Sequence, residues 1–381
     1  MAAPQWRAFL ELGFRPLYIA GTLWAAVSVV LWVFAPQVLT GSLPGVIWHA
    51  HEMLWGFIAT IAVGFLLTAG ANWTGINPMH GGALGGLALL WVLARIGYLS
   101  PGPGGLWLGV GCEFLFFAWA AAALGRVILA SGSRRNYGVP LLVLGLGVAD
   151  VLYVLAAGKG DYTLLMERFN LGLLCMALIA LLIARRVIPF FAMRGVPGLQ
   201  IPMLTRSGHW QIGAGLLAIA LQIGGWMQAS GVALAVAGII SLWQVLAWRP
   251  WAVRQVPLLW ILYVGYAGLG AGLLVAAAHA AGWVIRPAWG AHVIGVAGFS
   301  VLIIGMVTRT ALGHLGRPLR ADRTMVVAYV LVILAAILRL TALLPTSFSI
   351  HILHLSAGAW MVAFGLYLWR FVPMLIRPRA L

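Results

Sequence analysis

Charged side chains are scarce in this chain: Asp, Glu, Lys and Arg make up 8% of its 381 residues, and only seven are acidic. A water-soluble domain carries about 25% charged residues, so a soluble globular fold is excluded. Cysteine is nearly absent. The two present, Cys112 and Cys175, both lie inside apolar runs, which excludes a disulfide framework, a zinc motif and a haem c attachment site. A cleavable leader is not expected either: Arg7, Glu11 and Arg15 interrupt the N-terminus, and the apolar run beginning near Leu17 is long enough to remain as an anchor. What is abundant is apolar residue, at 63%, with a mean hydropathy of +1.02. Together these define an all-α integral membrane protein. A formal net charge of +16 would suggest nucleic acid in a soluble protein. Here the loops are too short for a nucleic-acid domain, and basic residues crowd the cytoplasmic loops of polytopic proteins. The expected partner is membrane lipid, with no nucleic acid.

Apolar runs of roughly 17 to 24 residues, each about the length needed to cross a hydrocarbon core, recur along the whole chain. Twelve are expected, near 17–34, 47–69, 83–98, 106–130, 138–157, 169–188, 209–228, 232–248, 258–278, 289–308, 325–343 and 350–372. They form one transmembrane bundle over residues 1–381. Breaks fall at Pro36, Pro44, Pro101-Gly102-Pro103, Pro197, Pro287 and Pro345. Basic residues test the topology. With the N-terminus in the cytoplasm, the outer loops hold only Lys159, Arg168 and Arg286, while Arg95 and Arg339 fall inside helices. The other eighteen of the 23 lie on the inner side. That asymmetry places both termini in the cytoplasm. Small-residue pairs such as Gly82/Gly86 and Gly268/Gly272 let helix backbones approach closely. No clear internal repeat is visible.

This topology sorts the nine histidines. His49, His51, His279, His292, His351 and His354 fall near the outer surface; His80, His209 and His314 lie at inner ends. His351 and His354 are three apart and share a helix face. His49 and His51 are two apart, about 200° around a helix, so one turns into the bundle and the other away; which does so is open. An ionisable side chain in lipid is expensive and is by default a candidate functional group. Neutral imidazole suits haem iron and copper, and bundles hold such metals with histidines from several helices. His80, His209 and His279 are read instead as wet interfacial residues.

Acidic residues share the outward bias. Glu52 adjoins the first pair of histidines, and Glu113 and Asp150 lie in the outer parts of the fourth and fifth runs. Glu52 could orient a ligand imidazole through a hydrogen bond or relay protons as the catalytic carboxylate. Arg95 could pair with Glu113, or face haem propionates as Arg339 could. Trp48, Trp289 and Trp360 are expected as interface anchors. The twelve methionines are mostly packing, although Met53, Met306 and Met361 are soft enough to reach Cu(I). Phe114, Phe116 and Phe117 are read as facing lipid or core.

Several stretches together resemble the NnrS family of bacterial membrane proteins. Gly13-Phe14-Arg15-Pro16 precedes the first run, and Trp48-His49-Ala50-His51-Glu52-Met53 with Gly56-Phe57 opens the second. Gly64-Phe65-Leu66-Leu67-Thr68-Ala69 and Asn72-Trp73-Thr74-Gly75 close it. Arg168-Phe169-Asn170 and Arg186-Val187-Ile188-Pro189-Phe190-Phe191 follow. The stretch from His292 through Gly305-Met306-Val307-Thr308-Arg309 ends in Leu312-Gly313-His314-Leu315-Gly316-Arg317. Finally, His354 precedes Ala357-Gly358-Ala359-Trp360 and Ala363-Phe364. Leu315 stands where the family usually has threonine. The resemblance spans essentially the whole chain. It implies a polytopic inner-membrane protein that holds haem and copper and is tied to nitric oxide metabolism and nitrosative-stress resistance. It does not assign a metal to a histidine.

Two functional expectations follow. The first is a haem b and copper protein that binds or turns over nitric oxide or a similar diatomic at a site near the periplasmic face. Helix placement makes His49 or His51, His292 and His354 the leading ligands and His351 a secondary one. Glu52 stands behind them, with Arg95 and Arg339 toward the propionates. An enzyme of this kind would be a metal-dependent oxidoreductase with an unidentified electron donor. The second is a secondary transporter of a metal ion or metal complex, whose coupling sites usually show intramembrane carboxylates and broken helices. A sensor or assembly factor needing a soluble partner is a third, but the longest cytoplasmic loop, near 189–208, is only about 20 residues.

Overall fold

The computed structural model describes residues 3–380, and among these there are helices and no strands. Such an outcome follows from the composition: in hydrocarbon every backbone N–H and C=O must be bonded within the chain, and a helix does so segment by segment. Eleven helices are long and apolar enough to cross a membrane. In chain order the long helices are α1 Phe14–Phe34, α2 Gly45–Thr74, α3 Gly81–Leu99, α4 Gly102–Ala130, α5 Gly138–Ala157 and α6 Tyr162–Gly195. They continue with α7 Thr205–Ile223, α8 Met227–Ala247, α9 Pro257–Ala280, α10 Ala288–His314, α11 Arg323–Thr341 and α12 Ser349–Leu375. Only α7 is outside the eleven; it carries Arg206, His209, Gln211 and Gln222 within 19 residues. The expected count of about twelve therefore holds, and the chain is a multi-pass membrane protein. Several helices overrun their apolar runs. α6, for example, continues past residue 188 through Pro189 and Arg194, because a run marks hydrocarbon depth whereas backbone hydrogen bonding continues into the polar layer. Outward-facing Leu141, Leu246 and Trp369 are exposed, as lipid-facing side chains must be.

Contacts divide the described chain into two compact units. The first comprises the chain up to Cys175 with Ala311–Pro318 and the stretch from Phe364 onward; the second comprises Met176–Thr310 and Leu319–Ala363. In the first, α1 runs along α2, α2 meets α4, and α3, α4 and α5 pack in sequence. Close approach of α1 to α2 requires glycine at two places. A Cβ on Gly13 would stand 2.7 Å from Leu67 Cβ, and one on Gly64 would stand 2.8 Å from Leu17 Cβ. Phe14 N–H donates to Thr68 Oγ1 across the same contact (3.0 Å). Arg15, 1% exposed, closes the end of the unit: its Nη1 donates to the carbonyls of Leu375 (3.0 Å) and Arg377 (2.5 Å). Its Nη2 meets Glu11 at 3.4 Å. Two stretches that carry the family resemblance are thus explained by packing and by capping of a helix end. Trp48 and Trp360, expected as interface anchors, are instead buried; Trp48 packs edge-on against Trp24 at 6.2 Å.

In the second unit α7, α8 and α9 pack in sequence, and α9 lies along α10. Glycines allow that last contact. A Cβ on Gly268 would collide with the Ala297 carbonyl, and one on Gly272 would stand 2.5 Å from Ile294 Cγ1.

α2 and α10 share a local departure from α geometry. Each widens into an eight-residue π segment, Glu52–Ala59 and Val293–Ser300, directly after a histidine, His51 and His292. A hydroxyl closes each by bonding the carbonyl five residues back: Thr60 to Trp55 (3.0 Å) and Ser300 to Gly295 (2.9 Å). π turns are rare and concentrate at functional sites.

Replacement of Gly268 by valine should lower the thermal unfolding midpoint of detergent-purified protein by several degrees or abolish its accumulation. Gly295→Ala, where an added Cβ meets nothing within 4 Å, should leave the midpoint within about 1 °C of the parent. Equal midpoints for both variants would contradict this packing.

Candidate metal centre

His51 ends the first α-helical turns of α2 and is fully buried. Its imidazole is contacted on both nitrogens by carboxylates from three helices. Nδ1 lies 3.0 Å from Glu52 Oε1. Nε2 lies 2.8 Å from Asp150 Oδ1 on α5 and 3.4 Å from Glu113 Oε2 on α4. The π segment begins at Glu52 and helps present this carboxylate beside the histidine that precedes it.

Glu52 is itself held. Trp24 Nε1 on α1 donates to Oε2 at 2.5 Å, and Arg95 Nη1 on α3 donates to the same oxygen at 2.6 Å. Arg95 Nη2 pairs with Glu113 Oε2. Tyr98 OH reaches Asp150 Oδ2 at 3.5 Å. Gly56 makes this possible, because a Cβ there would collide with Arg95 Nη1 and lie 2.5 Å from Glu52 Oε2. Carbonyls in the widened segment find partners as well: Trp91 Nε1 donates to Gly56 O at 3.1 Å. Aromatic rings wall the site, with Tyr98, Trp55 and Tyr153 centred 4.3, 5.3 and 6.2 Å from the His51 ring.

Charge decides what such a group can do. Three buried carboxylates surround one guanidinium and one imidazole, so the formal charge is negative whether or not His51 is protonated. In a low-dielectric interior an uncompensated charge is very costly, and a proton or a metal cation removes the excess. His51 Nε2, Glu113 Oε2 and Asp150 Oδ1 each offer one ligand atom, all within 4.8 Å of one another. Donors about 2.1 Å from one small ion lie roughly 3.0–3.4 Å apart; His51 Nε2 stands 2.8 Å from Asp150 Oδ1 and 3.4 Å from Glu113 Oε2, close to that spacing. Glu113 Oε1 is buried without a hydrogen-bond partner, leaving a further lone pair directed inward. Glu52 occupies the position of the outer carboxylate that fixes ring orientation in carboxylate–histidine–metal sites.

The remaining candidate residues have other local partners. His49 lies flat on Trp32, with ring centroids 3.8 Å apart. His292 Nδ1 is 2.7 Å from the Ala288 carbonyl, and Arg339 on α11 lies within electrostatic reach of its ring. His351 and His354 are exposed on α12. The structure thus brings together His51, Glu52 and Arg95; it groups Arg339 with His292 in the other unit. Sequence reasoning noticed Glu113 and Asp150 but did not join them to His51. Their signal was position: they are two of the few acids set within apolar runs. Trp24 and Tyr98 had no comparable signal among 19 tryptophans and nine tyrosines.

Fold and site together define a polytopic helical membrane protein with a buried histidine–carboxylate–arginine centre. The family model described as NnrS protein matches residues 8–379, and the chain belongs to the NnrS family. That membership links it to nitric oxide-related processes. None of the curated proteins compared with it matches.

Arg95→Met should destabilise the protein by about 3–5 kcal/mol, because it strands buried carboxylates. Adding Glu113→Leu should recover part of that loss, measurable by unfolding in detergent. An additive double variant would show that Arg95 and Glu113 are not energetically paired.

Proposed function

We propose that this protein handles nitric oxide in the bacterial inner membrane through a non-haem metal ion held by His51, Glu113 and Asp150. The observation that carries the reading is the convergence of these three donors in a group with excess negative charge. One imidazole and two carboxylates form a nitrogen–oxygen set that suits iron(II) or manganese(II). Copper(I) prefers thiolate or thioether donors, which this group lacks, whereas copper(II) accepts nitrogen and oxygen donors, so copper held here would be copper(II). A bound iron would offer nitric oxide an open coordination position in a medium where that apolar gas dissolves well. Glu52 orients His51, and Trp24 and Arg95 hold Glu52. Arg95 thereby serves the carboxylates instead of a propionate. The eighteen-to-three distribution of basic residues supports cytoplasmic termini and a site toward the periplasmic face.

Haem does not fit at His51, whose surroundings are filled by the rings of Tyr98, Trp55 and Tyr153. It fits better at His292. There, donation from Nδ1–H to Ala288 O fixes the ring and leaves Nε2 as the lone pair for iron. Arg339 would serve a propionate, with His354 and His351 as further candidates for the same haem b. His49, stacked on Trp32, is left out of both sets.

A transporter of a divalent metal ion is the second reading. It is favoured by three intramembrane carboxylates and by two helices that depart from regular geometry. Retention separates the two: a resident centre stays with the protein through chelation and gel filtration, whereas a transported ion exchanges and crosses proteoliposomes.

Detergent-purified protein should carry about one non-haem iron or manganese per chain, and His51→Ala or Asp150→Asn should remove it. The haem spectrum should survive these two changes and be lost in His292→Ala, while His209→Ala should alter neither. Full metal content in His51→Ala would overturn the assignment.

A further inference from the structure

The second unit contains a buried cation that the metal centre does not use. Arg185 on α6 is only 6% exposed. Its Nε is buried without a hydrogen-bond partner, and no acidic side chain acts on it among the described residues. Tyr266, a neutral phenol, is the ionisable side chain acting on it. Gly208 on α7 leaves the guanidinium its space: a Cβ there would lie 2.5 Å from Nη1, 2.7 Å from Cδ and 3.0 Å from Cζ.

The surroundings are polar and uncharged. Gln211, one turn beyond Gly208, donates from Nε2 to Ser241 Oγ (2.7 Å) and Tyr266 OH (3.0 Å). Tyr266 OH donates to Gln244 Oε1 at 2.6 Å, and Gln244 Nε2 donates to Ser207 Oγ at 3.2 Å. Gln211, Ser241, Gln244 and Tyr266 are fully buried. No carboxylate takes part. A buried guanidinium is stable when a negative charge is supplied; Asp322, the acid of this unit, accepts from Met325 N–H at the start of α11 (3.0 Å) and does not act on Arg185, so a ligand is the fitting source.

We propose that Arg185 and this network bind a small monovalent planar oxyanion of the nitrite, nitrate or carboxylate class. One guanidinium balances one negative charge. Its planar fork matches two coplanar oxygens, and Gly208 lets α7 come close to it without a side chain in between. Every residue in this site belongs to the second unit, and those of the metal centre belong to the first.

The test uses the full-length protein in detergent, with sodium nitrite, formate and chloride titrated against gluconate at constant ionic strength. The thermal unfolding midpoint is followed. Nitrite and formate should raise it saturably, with chloride at least about ten-fold weaker. Tyr266→Phe should weaken nitrite several-fold. The effect should vanish in Arg185→Gln and persist in Arg309→Gln. If Arg185→Gln does not fold, the parent titration and Tyr266→Phe decide. The proposal is overturned by no saturable rise, by an equal response to chloride or by a rise unaffected by Tyr266→Phe. A shift that survives Arg185→Gln but is lost in His51→Ala would place the anion at the metal centre and also overturn it.

Discussion

A charge placed in hydrocarbon must be compensated within bonding distance, because neither water nor salt is there to screen it. Around His51 this requirement gathers the side chains of five helices. Arg95 has a central part, since its two terminal nitrogens reach Glu52 and Glu113, and Glu52 in turn fixes the face that His51 presents to Asp150. Helix positions in the first unit are consequently tied to the geometry of one polar group. Lipid-facing surfaces elsewhere can vary with little consequence.

The requirement also explains local features that otherwise look unrelated. Gly56 is small because Arg95 and Glu52 occupy the volume its side chain would take. The π segment of α2 starts at the residue whose carboxylate must sit beside the preceding imidazole, and the indole of Trp91 and the hydroxyl of Thr60 bond carbonyls within it. In α10 a similar segment follows His292 without any carboxylate nearby, and the ring is fixed by a backbone carbonyl instead. Two histidines in similar helical settings therefore differ in chemistry: one faces anionic oxygens, the other is held with a nitrogen lone pair available and a cation beside it.

Much of this organisation was legible beforehand. Hydropathy marked the helices because hydrocarbon thickness sets their length, and α7 has the least apolar run of the twelve for the same reason: Arg206, His209 and Gln211 dilute it. Glu52, Glu113, Asp150 and Arg95 stood out because ionisable residues are rare in such runs. Which of them meet was not legible. Within the first unit the partners of His51 are carboxylates of α2, α4 and α5. Trp48 read as an interface anchor because tryptophan favours membrane boundaries; packing against Trp24 buried it.

Composition and periodicity, acting residue by residue, were enough to determine a polytopic helical protein and to single out its few intramembrane charges. Both follow from the transfer of individual side chains and peptide groups into lipid, which is additive along a chain. The pairing of His51 with Asp150 and Glu113, the departure of His49 onto Trp32 and the isolation of Arg185 depended on helix rotation and depth. Those are set by contacts among residues far apart in sequence, so only the tertiary structure decided them.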